Sequence, residues 1–97
     1  MPHVVLSQKA RQDLRRLYSF LAGRDPIAAR NGIGTVLNSF DQLVMPTIGS
    51  PVLERKGLRK LVIPYGNSGY TALYRYSKAT DTIVVIAIKH QRELDYK

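Results

Sequence analysis

The chain has 97 residues, with 15 Lys and Arg against 7 Asp and Glu, a formal net charge of +8 and a pI near 10.1. That length supports one core and one domain, over residues 1–97. The absence of cysteine excludes disulfides, thiolate nucleophiles and cysteine-ligated metals, and no run approaches the ~18 apolar residues of a membrane span.

The first residues, MPHVVLSQKAR, lack the charged-then-apolar order of a signal peptide, so a soluble, cytoplasmic protein with no membrane partner is expected. His3 to Leu6 predicts a short strand, at the edge or the centre of a sheet. Ser7 is a good N-cap, and Ala10, Leu14, Leu17, Tyr18 and Leu21 recur at three- and four-residue spacing, which places them on one face of a helix. Lys9, Arg11, Arg15 and Arg16 fall mostly off that face. Gly23 is placed to end the helix at C′. Asp25 and Pro26 then cap and open a second helix. Its stripe is Ala29, Ile33, Val36, Leu37, Phe40, Leu43 and Val44. Gly32 and Gly34 each cost about 1 kcal/mol there relative to Ala, and close approach of another element is the simplest reason for them. The short link predicts an antiparallel helical hairpin.

Met45 to Pro51 reads as a loop from its Pro and Gly content, and 53–57 as a charged link. A strand from Leu58 to Ile63, a turn from Pro64 to Gly69 and a strand from Tyr70 to Tyr76 follow. Tyr70, Ala72, Tyr74 and Tyr76 share one face of that strand, and Thr71, Leu73 and Arg75 the other. After a turn at Lys78 to Asp81, the apolar, β-branched run Ile83 to Ile88 predicts a central strand. The order is β-α-α-β-β-β. It gives an α+β fold with the helical hairpin packed on one face of a mainly antiparallel sheet of three to four strands.

Arg59, Lys60, Tyr70, Arg75, Lys89, His90, Arg92 and Tyr96 lie along the last third. With the net charge, this cationic and aromatic set points to a polyanionic or acidic partner. His90, with an unperturbed pKa near ~6.5, is suited to general acid or base work, or is a structural group at a strand end. His3 reads as structural or incidental. No pair of histidines has ligand spacing, so neither a metal nor a cofactor is expected. Arg59 and Arg75 read as anchors for carboxylates or phosphates, or as solvated strand charges. The tyrosines of the third strand read as base-stacking platforms or as core packing against the helices. Glu93 and Asp95 read as neutralising Arg92 and Lys89. The Lys9, Arg11, Arg15 and Arg16 cluster reads as a solvated helix face, or as an attractor for an acidic tail or DNA.

Four segments in order, LSQKARQDLRRLYSFLAGRDPIAA, MPTIGSPV, GLRKLVIPYGNSGYTALYRY and VVIAIKHQRELDYK, give the chain a family likeness. It resembles the RelE/ParE toxins of bacterial toxin–antitoxin pairs over essentially its whole length. The resemblance implies a compact toxin in a hetero-oligomer with an antitoxin, whose extended, partly helical tail wraps it. It leaves the target open. Members similar to RelE cut messenger RNA in the ribosomal A site, and members similar to ParE bind and block DNA gyrase, on one shared fold.

Metal-free RNA cleavage needs a base, an acid and positive charge at the scissile phosphate. RelE-like nucleases project lysines and arginines from the central strands and carry an Arg and a Tyr near the C-terminus. Aligned on Ser68-Gly69-Tyr70, their lysine positions fall near Leu61 to Ile63 here, and the arginine after the Gly-Tyr pair is Thr71. The C-terminal arginine position falls at His90, and the tyrosine is kept as Tyr96. The resemblance therefore implies the ParE-like branch, inhibiting gyrase by binding and not by catalysis. The alternative is a RelE-like ribosome-dependent endoribonuclease using His90, Arg59 and Tyr96. Candidate target-binding residues are Arg59, Arg75, His90, Arg92 and Tyr96. The antitoxin is expected in an apolar groove beside the helical hairpin, with Leu14, Leu17, Tyr18 and Leu21 as its candidate contacts.

Overall fold

The computed structural model describes residues 3–43, 49–52, 55–65 and 68–90. In chain order these form β1 (His3–Leu6), α1 (Gln8–Ala22), α2 (Pro26–Ser39), a 3-10 turn (Phe40–Gln42), β2 (Ser50–Pro51), β3 (Arg59–Tyr65), β4 (Ser68–Ser77) and β5 (Thr82–His90). No helix among the described residues is long and apolar enough to cross a membrane.

The helices begin where the sequence predicts, and for the expected reasons. Ser7 Oγ accepts the Ala10 N–H at 3.0 Å. Its own hydroxyl donates to the Ile86 carbonyl at 2.9 Å, so the cap also ties α1 to β5. Asp25 Oδ1 accepts the N–H groups of Ile27 at 3.0 Å and Ala28 at 3.2 Å, with Pro26 in the first helical position. α1 ends at Gly23 as expected, in ordinary right-handed backbone at φ −64°, and the Gly23 N–H closes the last turn onto Ser19.

The sheet order is β1-β5-β4-β3-β2. β1 runs parallel to β5, with His3 opposite Thr82 and Leu6 opposite Val85; the other pairs are antiparallel. The sheet thus has five strands where three to four were expected. The extra one, β2, lies in the stretch read as a loop. It pairs only Ser50 with Lys60 and Pro51 with Arg59, too short to carry an alternating pattern. β3 also outruns the prediction. Pro64 pairs with Gly69 and Tyr65 with Ser68, within the stretch read as a turn. Proline is tolerated there because, among the described residues, β2 pairs only with Arg59 and Lys60 and the rest of β3 has no partner on that side.

One irregularity shapes the far end of the sheet. Leu73 faces Ala87 but Tyr74 faces Val85, so Ile86 is an extra residue in β5, a bulge that reverses side-chain alternation beyond it. Core residues from the sheet are Ile63, Tyr70, Ala72, Tyr74, Ile83, Val85 and Ile88; from the helical side they are Ala10, Leu17, Val36, Phe40 and Leu43. The tyrosine stripe of β4 is therefore packing: Tyr70 and Tyr74 are fully buried and Tyr76 lies against their cluster. Leu37 departs from its expected stripe and faces solvent. Val44 lies outside the described residues.

Candidate functional site

Residues directly opposite one another in a sheet share a face, so the register sorts the candidates. The rows under the helices are Arg59–Tyr74–Val85, Leu61–Ala72–Ile88 and Ile63–Tyr70–His90. The rows on the outer face are Lys60–Leu73–Ala87 and Val62–Thr71–Lys89, with Arg75 beside Val84 and Val5.

The expected lysine positions of a nuclease therefore divide between the faces. Ile63 is buried and Leu61 packs on the core beneath α2, and only Val62 looks outward, half exposed. Beside it stand Thr71 and the nearly buried Lys89. The bulge determines that Lys89, and not His90, joins this outer row. His90 turns to the helix side, its ring edge-on to Tyr70 with centroids 5.3 Å apart. Tyr65 flanks Tyr70 from the other side at 6.2 Å. Burial, and then the neighbouring Tyr65 hydroxyl, raise the pKa of Tyr70, so its phenol is neutral at ordinary pH.

Arg59 faces the helix side and is engaged within the chain. Its Nη2 donates to the Gly49 carbonyl at 2.6 Å, while Tyr74 Oη accepts the Gly49 N–H at 2.8 Å. Gly49 is thereby clamped on both sides. A Cβ there would strike the Lys60 carbonyl, which is why this position needs glycine. Arg75 is exposed on the outer face. Arg92 and Tyr96 lie outside the described residues.

The four candidate antitoxin contacts on α1 are not equivalent. Leu17 is buried in the core, and Leu14 and Leu21 are packed against it; Tyr18 alone of the four is exposed. A groove of about 290 Å³ does lie beside the helical hairpin, but along α2, lined by Thr35, Asn38, Ser39 and the β3 residues Leu61 to Pro64. It runs next to the open stretch of the β3 edge.

One functional-looking residue was not singled out from sequence. Asp13 of α1 is buried, its carboxylate accepting the Ile88 N–H at 2.9 Å and the Lys9 ammonium at 3.0 Å, with an Arg16 guanidinium nitrogen at 3.5 Å. Its signal was available: Asp13 follows Ala10 by three residues and precedes Leu17 by four, which puts an acid on the flank of the apolar stripe. Among the described residues no group of three or more His, Cys, Asp or Glu side chains could hold a metal ion.

A helical hairpin on one face of a mixed sheet, with β1 parallel to the last strand, is the α+β architecture shared by RelE- and ParE-like toxins. The family model for the ParE toxin of type II toxin–antitoxin systems matches residues 4–95. Toxin RelE3 of Caulobacter vibrioides is 34% identical over 95 residues, covering 96% of this chain and 98% of that protein. In fold, the chain is similar to the chromosomal ParDE toxin–antitoxin system of P. aeruginosa, at a TM-score of 0.77 and 19% identity over 93% of this chain and 96% of that one. It is also similar to the RelBE2 complex of Mycobacterium tuberculosis, at 0.57 and 21% identity over 94% and 100%. The chain belongs to the ParE toxin family of type II toxin–antitoxin systems.

Proposed function

We propose that this chain is a ParE-like toxin that inhibits DNA gyrase by docking on it, without a catalytic centre of its own, and that a cognate antitoxin neutralises it in a cytoplasmic hetero-oligomer. The observation that carries this reading is the apolar character of Leu61, Val62 and Ile63, two of which are committed to the core under α2. A lysine at Ile63 would have to be buried in the core, a cost that an unpaired charge does not sustain, and one at Leu61 would be half-buried against it. Thr71 next to Val62 removes a further cation from the outer face. Phosphodiester cleavage needs positive charge converging on one phosphate; the Val62–Thr71–Lys89 row holds one amine, the nearly buried Lys89, and the other described outer-face cations, Lys60 and Arg75, stand in separate rows.

The solved toxin–antitoxin complexes of similar fold support an antitoxin partner. The groove between α2 and β3 and the exposed Tyr18 are the surfaces on which an amphipathic antitoxin segment would be seated. Arg75 and the segment from His90 through Arg92 to Tyr96 remain the proposed target-facing residues.

Purified protein is expected to inhibit gyrase supercoiling and to leave ribosome-bound message intact. Unimpaired supercoiling at large molar excess, together with cleaved A-site transcripts, would reject the reading in favour of the ribosome-dependent nuclease. In that second case His90→Ala would abolish cleavage while leaving the fold in place. Under the docking reading the same change weakens gyrase inhibition through lost contact and leaves messenger RNA untouched.

A further inference from the structure

β1 ends at Leu6, opposite Val85, whereas β5 continues to His90. Among the described residues, the last five of β5 therefore have β4 on one side and no strand on the other. Exposed strand edges of this kind fray or recruit foreign strands unless something closes them. Here side chains of α1 and its cap stand in for the missing strand. Ser7 Oγ donates to the Ile86 carbonyl, Asp13 Oδ2 accepts the Ile88 N–H, and Arg16 Nη2 reaches the Ile88 carbonyl at 3.4 Å. The Ser7 and Asp13 bonds are equally short, at 2.9 Å, and the Asp13 bond is the one accepted by a charged group. Lys9 and Arg16 balance the carboxylate, so its burial leaves no uncompensated charge.

We propose that Asp13 is a positioning residue for toxicity. By clasping Ile88 it fixes β5 just past the bulge, and so holds Lys89 on the outer face and His90 on the helix side. The proposal rests on the reading that this end of the molecule meets the target. Asp13 itself touches no target; it acts through the β5 backbone. An asparagine keeps an oxygen that accepts the Ile88 N–H and loses the ion pairs, whereas an alanine loses both.

The test compares wild type, Asp13→Ala, Asp13→Asn and Arg16→Ala by amide hydrogen exchange and by growth arrest on expression without antitoxin. Asp13→Ala is expected to speed exchange of the Ile88 amide at least tenfold, leave Ile83 and Val85, which β1 flanks, within about twofold, and lower growth arrest at least tenfold. Asp13→Asn is expected to restore both readouts to within about threefold. Arg16→Ala, at a helix position half open to solvent, gives the same direction at smaller size and serves if Asp13→Ala does not fold. A purely structural role would raise exchange across Ile83 and Val85 equally, and that outcome overturns the proposal. So does full growth arrest with Ile88 exposed, or an Ile88 amide unchanged in both Asp13→Ala and Arg16→Ala. Growth arrest without any effect on supercoiling rejects the gyrase reading alone and leaves the clasp standing.

Discussion

Tyr70 sits where three elements meet. Its hydroxyl lies against Gly32 of α2, Tyr65 of β3 flanks its ring, and His90 of β5 stands edge-on to it. A Cβ added at Gly32 would stand 2.7 Å from that hydroxyl, whereas one at Gly34 would meet nothing within 4 Å. The two glycines look alike in sequence, since each is a weak helix former in the same helix. They separate only when the sheet is in place. Gly32→Ala is expected to cost about 1–3 kcal/mol through overpacking, and Gly34→Ala to gain up to about 1 kcal/mol from helix propensity. Urea unfolding of the two variants should give opposite signs. The phenol of Tyr70 adds a pH dependence. Its pKa is raised in the folded state by burial and then by Tyr65, so below the ordinary tyrosine pKa both folded and unfolded forms are neutral and the residue contributes no slope. Above about pH 10 the unfolded chain ionises first, and stability falls as pH rises toward the folded value. Tyr70→Phe should flatten that alkaline loss, read from unfolding midpoints between about pH 9 and about pH 11. Asp13 shows where residue-level reading ran short. An acid among Lys9, Arg11, Arg15 and Arg16 reads as a surface charge until a backbone amide from β5 is found against it.

At the scale of elements, the caps were the most legible features, because their chemistry is local. Ser7 and Asp25-Pro26 start helices wherever an apolar stripe follows. Asp25→Ala should remove the two N–H contacts at the start of α2 and lower stability by about 1 kcal/mol, measured as a shift in the urea midpoint without a change in slope. What sequence could not provide was the phase of β5. Its run of Ile, Val and Ala has no polar residue to mark a face, so the extra residue at Ile86 passes unnoticed and the faces of Lys89 and His90 are exchanged. β2 and the Pro64 end of β3 were hidden for a related reason. Proline and glycine signal turns on average, but a proline on an open edge costs the ladder nothing. The Gly49 clamp joins these elements through Arg59 and Tyr74, a contact between residues 10 and 25 positions away in sequence that no local pattern announces.

Over the whole molecule, the net charge of +8 and the burial of Asp13 leave α1 with Lys9, Arg11, Arg15 and Arg16 on its exposed surface and no exposed acid. Association with an acidic partner should therefore be fast at low salt. The on-rate should fall at least tenfold as ionic strength rises from about 0.01 M to about 1 M, while the off-rate, governed by apolar contacts, changes little. Stopped-flow measurements across that range would check it; a flat on-rate would mean the charge plays no part in encounter. The β-α-α-β-β-β order and the hairpin-on-sheet architecture were legible from periodicity, because both are set by which residues must leave water. Which candidate residues share a face was not, because that depends on register and on residues whose neighbours are far away along the chain.

The pairing of β1 with β5 has a consequence in time. His3 finds its partner at Thr82, so the first strand made waits for the last before it can join the sheet. At ordinary elongation rates these 97 residues take roughly 5–20 s to synthesise. Through that interval a ribosome carries a nascent chain whose β1 has no partner strand. A message broken before the Thr82 codon therefore yields a polypeptide whose β1 has no β5 to join.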